Sequence, residues 1–265
     1  MQKLTLTSIQ APNQDHIPAA LAAYLESRLG IQTEFVSALT WQERERLLDA
    51  GQIDIGWICG LPYIQMADRP GAQVELLAAP VMRDARYKNQ PIYFSDVIVH
   101  HESRYRSFED LRGCRWAYNE PNSHSGYNLT RYMLAQRGET AGFFGPVIPA
   151  GSHQAALQML LAGQIDATAI DSTVLEVELD TIPSIAGQIR IISTWGPSPI
   201  PPWVIQKKLP AEIKSAIQKE LLRMEVVAEG KEVLASLGLR RFAQVSDRDY
   251  DLIRAMFHKA LAVQL

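Results

Sequence analysis

The stretch Asn119-Glu120-Pro121-Asn122-Ser123-His124-Ser125-Gly126-Tyr127 brings together the side chains best suited to holding a ligand. Pro121 and Asn122 favour a turn. Ser123 and Ser125 are good helix N-caps, and Gly126 lets a ligand approach the backbone closely. A helix starting here would direct free N–H groups and the positive end of its dipole at whatever fills the turn. Two hydroxyls and the His124 imidazole are expected to converge on the same spot. No Lys or Arg lies between Trp116 and Thr130, so the chemistry is capture of a small oxyanion by neutral donors. Taken alone, Ser-x-Ser-Gly has a commoner reading, an ordinary capped helix in a serine-rich loop. Spacing does not choose between the two.

Other chemistries are poorly represented. The chain has no Gly-x-Gly-x-x-Gly, no Walker loop and no Ser/His/Asp hydrolase signature. Cys59 and Cys114 lie far apart and lack the spacing of a zinc site. They read as two buried free thiols or as one disulfide. No catalytic residue, metal ligand or cofactor site is assigned. Trp57 and Tyr63, at the end of a strand-like run, line a site or sit in the core; the loop tip favours a wall position for Tyr63.

The elements that must position these groups alternate regularly. Lys3 to Ile9 reads as a strand and Asp15 to Leu29 as a helix with Pro18 in its first turn. Ile31 to Val36 is a second strand. Thr40 opens a helix in which Glu43 completes a capping box, and Ile53 to Ile58 is a third strand. Val74 to Met82 and Ile92 to His100 are longer strands, the second making the first crossing between lobes. Cys114 to Tyr118, Phe143 to Ile148 and Ile165 to Ile170 are strands separated by the helices Leu129 to Arg137 and His153 to Ala162. Ile189 to Trp195 is the return crossing, followed by a proline-rich loop and three tail helices expected on the first lobe. Ala50-Gly51-Gln52-Ile53-Asp54 recurs as Ala162-Gly163-Gln164-Ile165-Asp166. At the same offset Thr40 matches Ser152 as a cap and Gly30 matches Gly142. The echo predicts two lobes of similar topology, each a mostly parallel α/β sheet flanked by helices: residues 1–90 with 195–265, and 91–194.

The chain has 265 residues, enough for two medium lobes. A net charge of −3 and 21% charged residues give no nucleic-acid-binding face. No apolar run approaches the ~18 residues of a membrane helix, so no membrane insertion is expected. Met1 to Ile9 enters an alternating pattern without an apolar leader core or cleavage site. Two readings follow: work in the cytosol, or a leader removed from the sequence.

Several short segments, in order and at their spacing, resemble the solute-binding proteins of phosphonate, phosphite and phosphate ABC transporters. They are Asp54-Ile55-Gly56-Trp57, Tyr93-Phe94-Ser95, Pro121 to Gly126, Gly151-Ser152-His153 and Ser198-Pro199-Ile200-Pro201. The resemblance covers nearly the whole chain. It implies the two-lobed type II periplasmic-binding-protein fold with two hinge crossings, and an anion held in a cleft between lobes. It assigns anion contacts to Ser123, His124, Ser125 and Gly126, to His153 at the next helix start, and to the phenol of Tyr93. Read without it, His153 is a surface histidine and Tyr93 a core aromatic. The chain departs from relatives that bind an aminoalkylphosphonate. No Asp or Glu lies between Gly196 and Leu209, and Thr173 stands where a second acid is expected, with Asp171 nearby. A compact oxyanion, or one with an apolar tail against Trp203, is the expected ligand. Asp171 reads a protonated oxygen or an amine, or simply caps the next helix.

The implied function is capture of phosphonate, phosphite or phosphate without chemistry, by a monomer that presents its closed state to an ABC permease. The implied location is periplasmic or extracytoplasmic. Two alternatives use the same architecture: a cytosolic small-ligand sensor, and an enzyme acting on a small carboxylate or phosphorylated metabolite.

Overall fold

The computed structural model describes residues 3–265; the first two residues of the amino-terminal pattern, Met1 and Gln2, lie outside them. The chain opens with β1 (Leu4–Ser8), α1 (His16–Leu29), β2 (Thr33–Phe35), α2 (Trp41–Asp49), β3 (Ile55–Trp57), α3 (Gly60–Ala67) and β4 (Val74–Met82). Next come β5 (Ile92–His100), β6 (Trp116–Tyr118), α4 (Leu129–Ala135), β7 (Val147–Pro149), α5 (His153–Leu161), β8 (Ala167–Asp171), α6 (Ser172–Thr181) and β9 (Ile189–Pro199). The chain ends with β10 (Trp203–Gln206), α7 (Ala211–Arg223), α8 (Ala228–Ser236), β11 (Leu239–Ala243) and α9 (Asp251–Ala260).

Local signals place many of these boundaries. Ile17, Leu21, Tyr24 and Leu25 put one face of α1 in the core. Gly30 ends α1 at φ 64°, a left-handed conformation that costs glycine little. Thr40 Oγ1 accepts the Glu43 N–H at 3.3 Å and starts α2. At the matching position of the echo, Ser152 Oγ accepts the Ala155 N–H at 2.9 Å and starts α5. Both caps remove an orphan donor from a helix end.

Two compact units result. The first runs to Ile92 and resumes over Pro199–Asp251; the second comprises Tyr93–Ser198 and Leu252–Leu265. The first has a six-stranded sheet in the order β11-β4-β10-β3-β1-β2. Its strands β2, β1 and β3 are parallel, while β10 and β11 pair antiparallel with their neighbours. The second has a five-stranded sheet in the order β7-β6-β8-β5-β9, in which β7, β6 and β8 are parallel and β5 is antiparallel to β8. Each sheet is therefore mixed, a parallel triplet extended by returning strands. In each triplet the loops into the following helices leave from the carboxyl edge, where α/β sheets carry their ligands.

The tail corrects the expected division of the chain. The crossings fall at Ile92/Tyr93 and Ser198/Pro199, and α9 belongs to the second unit. Met256 and Val263 join its core beside Leu129, Leu134 and Trp116. Main-chain bonds hold the tail there: the Gln264 N–H donates to Thr140 O at 2.8 Å, and Arg131 Nε donates to Val263 O at 2.8 Å. Phe143 and Phe144, expected in a strand, precede β7 and fill this core from a loop. Phe144 stacks on Trp116 with ring centroids 4.4 Å apart, and Phe143 stacks on Phe108 at 5.1 Å. Cys59 and Cys114 are free thiols. Burial pushes the Cys114 thiol up to about 12.

Candidate functional site

Three strand ends of the second unit supply the site. β6 leads into Asn119 and the Ser123–Gly126 turn, β7 into Ser152 and His153, and β8 ends at Asp171. The turn is not an ordinary first helical turn. His124–Asn128 forms one turn of π-helix, and the Asn128 N–H reaches Ser123 O five residues back at 3.0 Å. Such turns recur at functional sites because they reshape a helix end. Ser123 is the cap, and its Oγ accepts the Gly126 N–H at 3.1 Å. The N–H groups ahead of Gly126 have no acceptor inside the helix and point out of its end. Thr130 Oγ1 donates to Gly126 O at 3.0 Å, and Ser95 Oγ donates to Ser125 O at 2.9 Å, fixing the turn from α4 and β5.

The polar side chains gather closely. Ser125 Oγ lies 3.1 Å from His153 Nε2 and 3.4 Å from Ser123 Oγ. Ser123, Ser125 and His153 are all buried. Desolvation drops the His153 pKa to about 3, so its imidazole is neutral near pH 7. A neutral imidazole carries one N–H. It donates to Ser125 Oγ and leaves that hydroxyl's proton for a ligand, or it accepts that proton and donates from Nδ1. In either tautomer the pair presents one proton outward. Among the described residues His153 Nδ1 and Asn119 Oδ1 are buried and lack hydrogen-bond partners. Gly126 is essential to this crowding: a Cβ there would stand 2.1 Å from Asn119 Oδ1 and 3.2 Å from His153 Cε1.

Other expected members are placed differently. The His124 ring does not converge with the two hydroxyls. It is fully buried, its Nε2 is 3.1 Å from Ser198 Oγ, and its Nδ1 is 3.1 Å from Asn128 Nδ2. Burial drops its pKa to about 3 as well, and it ties the turn to the start of the return crossing. Tyr93 is buried with its ring centroid 6.4 Å from that of His124. Asp171 caps α6: its Oδ1 accepts the Thr173 N–H at 2.8 Å and the Thr173 hydroxyl at 2.7 Å. Burial nevertheless pushes its carboxyl up to about 6. Asp171 pairs across the sheet with Ser95, the residue that holds Ser125 O.

Tyr63 and Trp203 belong to the first unit, and both are buried there. The Tyr63 hydroxyl donates to Asp247 Oδ1 at 2.7 Å, and its ring packs edge-on against Tyr250. Trp203 stacks on Trp57 with centroids 5.7 Å apart. Neither presents an open wall within its own unit. Asn119 was not singled out by sequence because its role depends on lying over Gly126; the pairing of a strand-ending Asn with a motif glycine was the available signal.

Among the described residues no group of three or more His, Cys, Asp and Glu side chains is placed to hold a metal ion. None of their helices is long and apolar enough to cross a membrane. The Ser152 cap orients α5, so Ser152→Ala should lower stability by about 1 kcal/mol in denaturant unfolding and loosen His153.

Comparison with known proteins gives a consistent picture. The family described as "ABC transporter, phosphonate, periplasmic substrate-binding protein" matches residues 7–250. The probable ABC transporter phosphite binding protein of Prochlorococcus marinus is 20% identical over 97% of this chain and 89% of its own. The crystal structure from that organism in complex with methylphosphonate aligns with a TM-score of 0.84 at 19% identity, over 98% of this chain and 99% of the other. The phosphonates-binding periplasmic protein of Escherichia coli is 26% identical over 88% of this chain and 68% of its own. A binding-protein component of a Pseudomonas aeruginosa ABC phosphonate transporter aligns with a TM-score of 0.85 at 22% identity, over 98% of this chain and 87% of the other. With a match that spans both sheets and the turn between β6 and α4, the chain belongs to the family of ABC-transporter phosphonate periplasmic substrate-binding proteins.

Proposed function

We propose that this chain captures a small phosphorus oxyanion, phosphonate, phosphite or phosphate, on the Ser123–Gly126 turn and delivers it to an ABC permease outside the cytoplasm. One observation carries the reading: the buried, neutral Ser125–His153 pair at 3.1 Å sits on a π-turn capped by Ser123, and the first N–H groups of such a turn lack an acceptor within it. Neutral donors in a desolvated setting hold a compact anion without a cationic side chain. The Ser123 hydroxyl, the turn backbone and the single outward proton of the Ser125–His153 pair each take a ligand oxygen. Tyr93 stands beside the turn as a further phenol donor. Asp171, paired across the sheet with the Ser95 that holds Ser125 O, favours a ligand that keeps a proton, because a carboxylate oxygen accepts a ligand O–H. Binding without turnover is supported by relatives named as binding proteins.

The test is a thermal-shift panel on ligand-stripped protein with phosphate, phosphite and methylphosphonate. At ~100 times Kd the stabilisation is about 2.7 kcal/mol. Ser125→Ala removes a charge-assisted hydrogen bond and should weaken binding roughly 10- to 100-fold. A panel that shifts nothing sinks the proposal, and turnover of any compound would reassign the protein to chemistry.

A further inference from the structure

On the first unit, a cavity of about 350 Å³ lies between the end of β4, the start of β11, α8 and the connection from α7 to α8. Its rim carries three cations, Arg83, Lys231 and Arg240, and one carboxylate, Glu225, all exposed. Its base is apolar: Leu234 and Leu239 are buried beneath it, and exposed Ala235 extends the surface they begin.

Backbone geometry brings the cations together. Arg83 follows β4, and its N–H donates to Gly238 O at 3.0 Å, which pins it beside the turn into β11. Arg240 occupies an irregularity in the pairing: Leu239 lies opposite Met82 and Arg241 opposite Val81, so Arg240 has no residue across from it. A bulge re-aims the side chain it carries. Lys231 closes the first turn of α8. Gly230 lets that turn pack on the end of α7, because a Cβ there would stand 2.5 Å from Met224 O. Glu225, the next residue, thereby reaches the same rim.

These charges do little for the fold. Among the described residues the side chains of Arg83, Lys231, Arg240 and Glu225 make no hydrogen bond or ion pair. Charges on the adjacent α7 behave differently: Lys214 pairs with Glu75 at 2.6 Å and Arg223 with Glu220 at 3.9 Å. A lysine in the first turn of a helix also meets the positive end of its dipole. Three cations against one carboxylate leave two positive charges in excess at this cavity, on a chain whose net charge is −3. A concave site with apolar walls focuses such a field on whatever enters it.

We infer that this cavity binds a small organic dianion with an apolar body, such as an aromatic dicarboxylate. The two guanidinium groups offer paired N–H donors that match carboxylate geometry, and Lys231 adds a compact charge. The apolar body lies on Leu234, Leu239 and Ala235. The cavity shares no residue with the serine turn of the second unit.

Calorimetric titration of the full chain with isophthalate, benzoate and malonate at low ionic strength tests the inference. None of these probes contains phosphorus. Isophthalate should bind, and benzoate, which lacks one carboxylate, should bind roughly tenfold more weakly through the loss of one charge-assisted contact. Malonate keeps both charges without the ring and should also bind more weakly than isophthalate. Added salt should weaken isophthalate binding, because exposed charges are screened. Arg83→Gln/Arg240→Gln should abolish isophthalate binding and leave the unliganded melting temperature unchanged. Should that double variant fail to fold, Lys231→Gln, on the exposed face of α8, should weaken isophthalate binding in its place. Ser125→Ala should leave isophthalate binding intact. The inference is overturned if isophthalate does not bind the wild type, if benzoate binds as tightly, or if the arginine variant binds as the wild type does. It is overturned equally if Ser125→Ala removes the binding, which would put the dianion on the serine turn.

Discussion

Acidifying the ligand-free protein from about pH 7 to about pH 4.5 should lower its stability by about 3 kcal/mol. His124 and His153 are buried neutral, with pKa values of about 3 in the folded state. Their ordinary value is near 6.5. A depressed imidazole pKa means that the unfolded chain binds protons first. The stability these residues contribute is complete above about pH 6.5 and is lost as the pH falls toward 3. At pH 4.5 the two together cost about 5 kcal/mol. Asp171 works in the opposite direction. Its folded pKa is raised to about 6, so protonation below that value favours the folded state and returns about 2 kcal/mol by pH 4.5. Denaturant unfolding across this range measures the net slope. His153→Gln should remove most of the net acid loss, about 2.5 of the 3 kcal/mol, and Asp171→Asn should steepen it. A stability that stays level between pH 7 and 4.5 would show that neither imidazole is held neutral by burial.

Gly126→Ala should abolish oxyanion capture at concentrations about 100-fold above the wild-type Kd, an affinity loss of more than about 2.7 kcal/mol. The added Cβ would lie 2.1 Å from Asn119 Oδ1, closer than real Cβ contacts come, and a tight 3.1 Å from Asn119 Cγ. Asn119 must swing off the turn, and His153 Cε1 at 3.2 Å is pushed in turn. The Ser125–His153 pair at 3.1 Å cannot survive that displacement unchanged. Overpacking of this kind also lowers stability, by about 1–3 kcal/mol. The double variant Gly126→Ala/Asn119→Gly separates the two effects by reopening the space. Partial recovery of methylphosphonate affinity by calorimetry is expected. Wild-type affinity in the single variant would mean that the ligand does not touch this turn.

What the sequence made legible was local and periodic. Thr40 and Ser152 announce α2 and α5, and glycines such as Gly30 announce where helices stop, because each signal acts within a few residues. The serine turn was legible for the same reason. Features that depend on remote partners were not. The inward set of His124 depends on Ser198, in the return crossing. The mixed character of both sheets depends on β5 and β10 finding β8, β3 and β4, which no strand pattern records. The apolar stripe of α9 says that one face is buried, not against what, so its place in the second unit had to come from the structure. Phe143 and Phe144 carry strand propensity, but the aromatic core around Trp116 and Phe108 uses them as loop residues.

The closing residues have a consequence for biosynthesis. The second unit begins at Tyr93 but needs Met256 and Val263 for its core. On a ribosome, every residue of the serine turn emerges long before the segment that seals the aromatic cluster beneath it. The turn's scaffold is therefore completed only after residues 252–265 have been made, and removal of residues 263–265, distant in sequence, would be felt first at Arg131 in α4 and at Thr140 beyond it.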